Sequence, residues 1–336
     1  MSKKESLSRL IDKSGLLNLF LSVSRKLHKR KTVNILTYHR INRPGEIGPF
    51  DPSVIDADPE AFEKQVEFLK KHFTIITFSQ LEDIAEKSLN RPAVIITFDD
   101  GYRDNYTHAF PILRRHGVPG VFFLSTGLID NRDIFWWEKI HFFFLNTSKK
   151  SCAMEGGALS LTSERQRRES IREAISLLKR LPDEKRRREM ASMEKELSVE
   201  IPLEIRDNFT LTWDEIREMS REGMEFGSHT VNHPLLSRLN DADLAFELSE
   251  SRKRIQEEIN KEADIFCYPV GLPFAYNSKS VAAVGRAGYR FATTVQYGAN
   301  RLDALNSLEL KRINVNLEDS LEAFKTTQTF PFLFNY

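Results

Sequence analysis

Short apolar runs alternate along the chain with longer segments in which apolar residues recur every three or four positions. The short runs are rich in β-branched and aromatic residues and predict buried strands. They occupy residues 33–38, 73–78, 93–98, 121–124, 224–228, 265–268, 290–294 and 311–315. Between them, helical spacing predicts helices, such as a long amphipathic helix at residues 241–259, a helix that stops at Gly117 and one that starts with a capping box formed by Thr212 and Glu215. Residues 42–58 are rich in Pro and Gly and are predicted to form a loop. This alternation predicts a parallel α/β fold with seven or eight strands.

Residues 130–210 interrupt the alternation. The densest aromatic run of the chain, FWWEKIHFFF, occupies residues 135–144, and charged helical patterns interrupted at Pro182 follow it. We interpret the segment as a mostly helical insertion after a strand. Because aromatic clusters usually bury themselves, the run is expected to be core, and stacking of a sugar on Trp136 or Trp137 is the alternative.

Residues 1–31 form a separate basic segment ahead of the predicted domain at residues 32–336. Nine basic residues stand there against Glu5 and Asp12, a net charge of +7. Its apolar run is too short to span a bilayer, and no small-residue cleavage site of a signal peptide follows it. One interpretation is a helix packed on the domain. The other is a helix on an anionic membrane surface, with apolar residues at helical spacing, namely Leu16, Phe20, Val23 and Leu27.

Composition narrows the class of protein. Hydrophobic residues make up 40% of the 336, which is enough for a sizeable core and too little for a membrane protein. The chain has 49 basic and 48 acidic residues and therefore no overall excess of positive charge that would attract nucleic acid. No nucleic-acid partner is expected. The two cysteines, Cys152 and Cys267, have no metal-binding spacing. We expect a cytoplasmic protein, peripheral at the inner face of the membrane if residues 1–31 attach there.

Polar residues that could carry chemistry follow two of the predicted strands. Asp99 and Asp100 end the strand at residues 93–98, and like charges side by side are costly unless something neutralises one of them. His229 and His233 follow another strand, and one helical turn would place them on the same side. Each pair by itself is more typical of a structural or solvated turn than of a metal site. Together they predict a three-ligand metal site with an open position for water.

Three motifs resemble those of the polysaccharide deacetylases, the carbohydrate esterases built on the NodB homology domain. They are TFDDG at residues 97–101, SHTVNH at residues 228–233 and FCYPVG at residues 266–271. The resemblance covers residues 33–315 around the insertion. It implies a distorted (β/α)7 barrel of the NodB type, similar to a TIM barrel, whose site lies at the carboxyl ends of the strands.

The resemblance also implies roles for individual residues. A divalent metal ion would be held by Asp100, His229 and His233, with Asp99 as the general base and the Val270 N–H as the oxyanion donor. Zn²⁺ suits this ligand set best, and Ni, Co and Mn remain alternatives. The implied enzyme is a hydrolase of C–N bonds other than peptide bonds. It would remove N-acetyl groups from an N-acetylhexosamine-containing polysaccharide or glycan precursor, so its partner would be an N-acetylated glycan.

The chain departs from the family pattern in two places. The late Leu-x-x-His-Asp motif is missing, because no histidine follows His233. His39, after the first strand, resembles the corresponding histidine of circularly permuted members and is the candidate general acid. Cys267 occupies the position of the family's arginine. Arg312, near the end of a late strand, is the candidate replacement for that positive charge.

Two other classes of protein fit parts of the pattern. An Fe(II) oxygenase would use two histidines and one carboxylate, but here the carboxylate lies far upstream of a close histidine pair. A catalytically silent glycan-binding protein on the same scaffold is the second, although pure binding needs no base beside the metal ligand. The remaining histidines are expected to serve surface or core packing; they include His72, His108, His116 and His141.

Overall fold

The strands are short and most of them belong to one sheet. In the computed structural model, which describes residues 3–15, 32–86 and 91–334, they are β1 (Thr32–Tyr38), β2 (Arg40–Ile41), β3 (Ile55–Ala57), β4 (Thr74–Ile75), β5 (Ala93–Phe98), β6 (Val121–Leu124), β7 (Ser151–Met154), β8 (Gly157–Ser160), β9 (Glu225–Ser228), β10 (Ile265–Cys267), β11 (Phe291–Tyr297), β12 (Asn300–Arg301) and β13 (Leu310–Asn314). The large sheet runs β12-β1-β13-β11-β10-β9-β6-β5-β4, and β1 also pairs with β5. Seven parallel strands therefore close into a ring, which confirms the predicted (β/α)7 barrel.

The first and last strands of the barrel are neighbours. β1 pairs in parallel with β13, where Leu36 lies opposite Ile313, and with β5 along its whole length. The short β12 runs antiparallel beside the beginning of β1. This closure places the carboxyl ends of β1 and β5 side by side. His39 and Asp99, each the first residue after its strand, are thereby brought to the same end of the barrel.

Alternate residues of the barrel strands face inward. One buried cluster takes residues from β1, β5, β6, β10, β11 and β13, among them Ile35 and Ile95. Their neighbours in sequence, such as Leu36 and Ile96, join a second cluster with the surrounding helices. Side chains of a strand alternate with a period of two, so His39 and Asp99, four residues after Ile35 and Ile95, continue the inward series.

Helices cover the barrel and fill its connections. They are α1 (Lys3–Lys13), α2 (Pro59–His72), α3 (Leu81–Glu86), α4 (Phe110–His116), α5 (Thr126–Asn131), α6 (Trp136–Asn146), α7 (Glu164–Leu178), α8 (Asp183–Leu197), α9 (Leu203–Asp207), α10 (Trp213–Arg221), α11 (Asp241–Ile259), α12 (Ser278–Arg286) and α13 (Leu321–Thr329). Local signals set several ends as predicted. Gly117 ends α4 with φ 62°, and Thr212 and Glu215 form the capping box that starts α10.

Two segments differ from their predicted structure. Residues 73–78 contribute only β4, because the chain then turns into a 3₁₀ helix, Phe78–Gln80. The loop at residues 42–58 contains β3, which pairs with β2. Strands of two or three residues show too little alternation to be recognised in a sequence.

The insertion at residues 130–210 packs a hydrophobic cluster of its own against the barrel loops. Helices α6, α7 and α8 supply half of the buried residues of this cluster, and Tyr102 joins it from the loop after β5. The buried Glu138 on α6 accepts hydrogen bonds from the Asp51 N–H (2.7 Å) and the Tyr102 hydroxyl (3.0 Å). The segment is mostly helical, as predicted, with an additional β7–β8 hairpin. These contacts fix it beside the loops at the site.

Helix α1 packs on the domain. Lys4 Nζ lies 2.7 Å from Asp319, and Glu5 accepts a hydrogen bond from the Ser320 N–H at the start of α13. Ile11 packs against the barrel's outer cluster. The interpretation as a packed helix therefore holds for Lys3–Lys13, while residues 16–31, with the predicted apolar face, lie outside the described residues. None of the described helices combines the length and apolar character that crossing a membrane requires, and membrane contact through residues 1–31 stays a prediction.

Deleting residues 1–31 is expected to lower the free energy of unfolding by about 2 kcal/mol, the contribution of burying roughly one large aliphatic side chain. Urea unfolding of full-length and truncated protein measures it. A Lys4→Ala variant is the matched control and should cost less than about 1 kcal/mol, because the ion pair is partly exposed. Equal stability of the two forms would mean that α1 contributes nothing to the fold.

Candidate active site

A cavity of about 420 Å³ opens at the carboxyl ends of the barrel strands. All seven predicted site residues line it, although they come from five different segments of the chain. They are His39, Asp99, Asp100, His229, His233, Val270 and Arg312. Parallel strands that end at one edge of a barrel bring such distant residues together.

Asp100, His229 and His233 form a compact set of donor atoms. Asp100 Oδ1 lies 3.5 Å from His229 Nε2 and 3.4 Å from His233 Nε2, and all three side chains are buried. Two ligands of a tetrahedral zinc ion, each about 2.1 Å from it, are about 3.4 Å apart. Asp100 Oδ1 has no hydrogen-bond partner among the described residues. A buried carboxylate oxygen without a partner is costly, so this donor set fits a divalent ion.

Both histidines are in the protonation state that a metal requires. Burial lowers the pKa of His229 to about 4 and moves that of His233 well below its ordinary value. His229 Nδ1 donates a hydrogen bond to the Cys267 carbonyl oxygen (2.7 Å), so the lone pair of Nε2, on the side of Asp100, is free for a metal ion. Neutral imidazoles are metal ligands, whereas imidazolium ions are not.

The two histidines are not joined by a helical turn, so that part of the prediction is wrong. The chain bends sharply after β9, with positive φ at Thr230 (70°) and at His233 (52°). The Thr230 hydroxyl accepts the His233 N–H (2.9 Å), and Glu247 of α11 accepts the N–H groups of the two residues between them. Side-chain acceptors in place of helical hydrogen bonds thus bring both Nε2 atoms to one point.

Asp99 is held by a buried arginine. Both of its oxygens accept hydrogen bonds from Arg312, each at 2.7 Å, and Arg312 also donates to the Thr294 carbonyl. Burial raises the pKa of Asp99, but the guanidinium lowers it further, so the pKa lies well below its usual range. The placement of Arg312 agrees with its predicted position beside Asp99. Asp99 is therefore ionised at every ordinary pH.

His39 is held by a second carboxylate that the sequence did not reveal. Its Nδ1 lies 3.2 Å from Asp56 Oδ2, its backbone N–H also donates to Asp56, and its Nε2 lies 4.0 Å from Asp99 Oδ2. Burial lowers the pKa of His39, but Asp56 outweighs it and raises the pKa to about 9. The imidazole is thus a cation at neutral pH. Asp56 lies on β3, within a segment predicted to be loop, and no local pattern marks it.

Backbone strain is concentrated around the cavity. Asp100 has φ 75° and Val270 has φ 64°, a region that residues other than glycine adopt infrequently and that a β-branched residue such as valine adopts very rarely. Such a conformation costs roughly 1–3 kcal/mol and persists only where the surroundings enforce it. Among the described residues nothing accepts the Val270 N–H, as a donor kept for a ligand would require. Val270 lines the cavity, and its role as the oxyanion donor stays a prediction.

Comparison with known proteins places the chain in a family. The sequence model of the family "Polysaccharide deacetylase" matches residues 86–292, more than half of the chain. The chain belongs to the polysaccharide deacetylase family. The match spans the aspartate motif, the histidine motif and the motif containing Val270.

Three proteins similar to this member of the polysaccharide deacetylase family share 18–22% of their residues with it. YxkH of Bacillus subtilis is 22% identical over 236 residues, which cover 70% of this chain and 56% of YxkH. The deacetylase PplD of Streptococcus pyogenes, solved in complex with acetate, is 18% identical with a TM-score of 0.59 over 90% of this chain and 99% of PplD. BC0361, a polysaccharide deacetylase from Bacillus cereus, is 19% identical with a TM-score of 0.57 over 89% and 69% of the two chains. The two structures support the barrel fold.

Cys267 explains how this deacetylase-family chain keeps a guanidinium on Asp99. The thiol lies 3.2 Å from Arg312 Nη2 and 3.5 Å from Asp99 Oδ2, so a small side chain on β10 leaves room for an arginine from β13. Asp99, His229 and Cys267 also approach one another closely enough for a metal. Burial raises the pKa of the thiol, however, and Arg312 occupies Asp99. The set around Asp100 is therefore the better metal site.

The aromatic run contributes to the site as well as to the core, which modifies the prediction. Trp136 and Trp137 line the cavity, while most of the run is buried. The Trp137 ring stacks on Phe135 (4.6 Å between centroids) and contacts the His233 ring (4.6 Å). Trp137 thus packs against His233, a predicted metal ligand, and stacking of a sugar on Trp136 or Trp137 stays a prediction.

The other histidines agree with their predicted packing roles. His116 Nε2 lies 2.9 Å from Glu63, and His108 Nδ1 lies 2.8 Å from the Ile41 carbonyl oxygen. His141 stands 3.7 Å from Asp51, and His72 stacks near Phe68. Among the described residues, these four histidines do not line the cavity.

Proposed function

We propose that the protein is a metal-dependent hydrolase that removes N-acetyl groups from an N-acetylhexosamine unit of a polysaccharide or glycan precursor. The observation that carries the proposal is a pair of titratable groups, Asp99 and His39, held in opposite protonation states 4.0 Å apart beside the metal ligands. Arg312 keeps Asp99 ionised, and Asp56 keeps His39 protonated. Hydrolysis of an amide needs such a base and acid together.

The metal would be held by Asp100, His229 and His233, and Zn²⁺ suits two imidazoles and one carboxylate. When bound, the ion supplies Lewis-acid polarisation of the amide carbonyl and acidifies water enough for a weak base to take its proton. Burial raises the pKa of Asp100 to about 7. A cation beside that carboxylate lowers the pKa again, so metal affinity should fall in acid.

The residues of the chain control the protons of the reaction. Asp99 accepts the proton of the attacking water. His39 donates a proton to the leaving nitrogen, because an amide anion is too basic to leave unprotonated. The Val270 N–H donates to the carbonyl oxygen as that oxygen gains negative charge. The products are acetate and a free amino sugar.

Replacing His39 by alanine is expected to lower kcat by roughly 10²-fold, the usual loss for a general acid, with unchanged metal content. In the unmodified protein, activity should fall as the pH rises through about 9, where His39 loses its proton. The variant should lack this alkaline limb. Acetate release measured across pH 7–11 (a range of about two units either side of the midpoint) tests both effects.

Asp56→Asn provides the matched control for the role of His39. The imidazole stays in place, but the charge that raises its pKa is gone, so the alkaline limb should move to lower pH. A purely structural contribution of His39 would lower activity equally at every pH. An unchanged profile in both variants would assign the acid to another group.

Two alternatives predict different results in the same assay. A catalytically silent glycan-binding protein would release no acetate. It would also have no need for an ionised Asp99 beside a protonated His39. An Fe(II) oxygenase would contain iron and consume oxygen. Acetate release from a panel of N-acetylated sugars, polymeric and lipid-linked, with elemental analysis of the metal, distinguishes the three.

A further inference from the structure

Lys179 is a cationic residue of the cavity that lacks a close acidic partner. It lines the cavity, and among the described residues no carboxylate oxygen is found within 4.0 Å of its ammonium group. The other cations of the cavity are paired, Arg312 with Asp99 and His39 with Asp56. Desolvating an ammonium group without an ion pair is unfavourable unless a ligand compensates for it.

Asp51 is the acidic group whose charge acts on Lys179, but its own oxygens are engaged. One oxygen accepts the Ser53 N–H (2.9 Å) and the Ser53 hydroxyl (2.7 Å), which caps the turn at Pro52–Val54. The other faces His141 at 3.7 Å. Burial lowers the pKa of Lys179, and the attraction of Asp51 does not reverse this. Asp51 therefore fixes the loop and leaves the ammonium group unpaired.

The position of Lys179 links it to the insertion. It follows the last residue of α7, and Ile175, one helical turn earlier, lines the same cavity. Residues four apart lie on one face of a helix. The insertion thus adds an apolar and a cationic contact to a cavity whose catalytic groups come from the barrel.

The charge of the cavity favours an anion once a metal is bound. The negative charges of Asp56 and Asp99 are neutralised by His39 and Arg312. A divalent ion would neutralise Asp100 and leave the cavity with excess positive charge. We propose that Lys179 binds an anionic group, a carboxylate or a phosphate, carried by the N-acetylated glycan. This inference rests on the proposed function and narrows its substrate to acidic glycans. The ammonium group donates a charge-assisted hydrogen bond to the anionic oxygen.

Direct binding tests this subsite without requiring turnover. In the unmodified zinc-loaded protein, which keeps Arg312 paired with Asp99, titration calorimetry compares N-acetylglucosamine 1-phosphate, N-acetylmuramic acid and neutral N-acetylglucosamine, and an acetate assay afterwards checks that the sugars stay intact. At least one anionic probe should bind roughly ten-fold more tightly than the neutral sugar. Adding Lys179→Met should abolish this preference and leave the neutral sugar unaffected. The probe that loses more affinity identifies phosphate or carboxylate as the preferred group.

Matched variants separate a lost contact from a lost fold. Lys185→Met removes an exposed lysine that pairs with Glu155 on the insertion, and it should keep the preference for an anion. Lys179→Arg keeps the charge and should keep part of the preference, even if Lys179→Met is unstable. Equal affinities for all three sugars, or an anion preference that survives Lys179→Met, would overturn the inference. Acetate release by the unmodified protein from the panel of N-acetylated sugars, neutral and anionic, reports on the proposed function separately.

Discussion

Replacing His233 by alanine is expected to empty the metal centre and to lower kcat/KM by roughly 10³-fold or more. His233 Nε2 stands 3.4 Å from Asp100 Oδ1, so its removal leaves two protein donors, Asp100 and His229. The ion would supply both the polarisation of the carbonyl and the acidity of the water, and each is worth several kcal/mol. Elemental analysis of the dialysed protein and acetate release measure the two losses.

The fold should survive the His233 substitution, because His233 lies in a bend at the barrel's open end rather than in a strand. Circular dichroism checks this. His116→Ala is the matched control, since His116 pairs with Glu63 outside the cavity and should leave metal content and activity unchanged. Full metal occupancy in His233→Ala would show that the ion sits elsewhere, with the set of Asp99, His229 and Cys267 as the next site to test.

The barrel could be predicted because its signal is local and repeated. Runs such as residues 93–98 and 121–124 are buried at every position, and both match their observed strands. The candidate site residues follow the carboxyl ends of these strands, so the prediction of the strands also located the candidate residues. Arg312 could be proposed as the partner of Asp99 because the motif at residues 266–271 has Cys267 where the family has a positively charged arginine. Its two hydrogen bonds to Asp99 agree with that proposal.

The supporting groups of the site could not be predicted, because they depend on contacts between distant segments. Asp56 reaches His39 through the pairing of β2 with β3, two strands too short to show alternation. Glu247 holds the bend between the two histidines from α11, where its spacing is that of any helical glutamate. Lys179 enters the cavity only because the insertion folds back over the barrel loops. The local sequence pattern therefore identifies the residues proposed to react more readily than the residues that hold them in position.

Replacing Asp99 by asparagine is expected to keep the metal and to lower kcat by roughly 10²–10⁴-fold, the usual loss for a general base. Asparagine preserves the shape of the side chain but cannot accept the proton of a water. Asp100→Asn, one residue away, is the matched control. It should lose metal and activity together, because Asp100 lies within 3.5 Å of both histidines and Asp99 is occupied by Arg312.

The role of Arg312 gives the Asp99 prediction a second, independent measurement. Because Arg312 is fully buried, Asp99→Asn leaves an uncompensated charge, and unfolding should become easier by about 3–5 kcal/mol. Arg312→Met does the opposite, since it leaves the carboxylate buried without a cation and raises the pKa of Asp99. Activity of Arg312→Met should therefore fall as the pH decreases through this raised pKa, an acid limb that the unmodified protein lacks at ordinary pH. Near-normal turnover in Asp99→Asn, or a pH–rate profile in Arg312→Met without a new acid limb, would assign the base to a group other than Asp99.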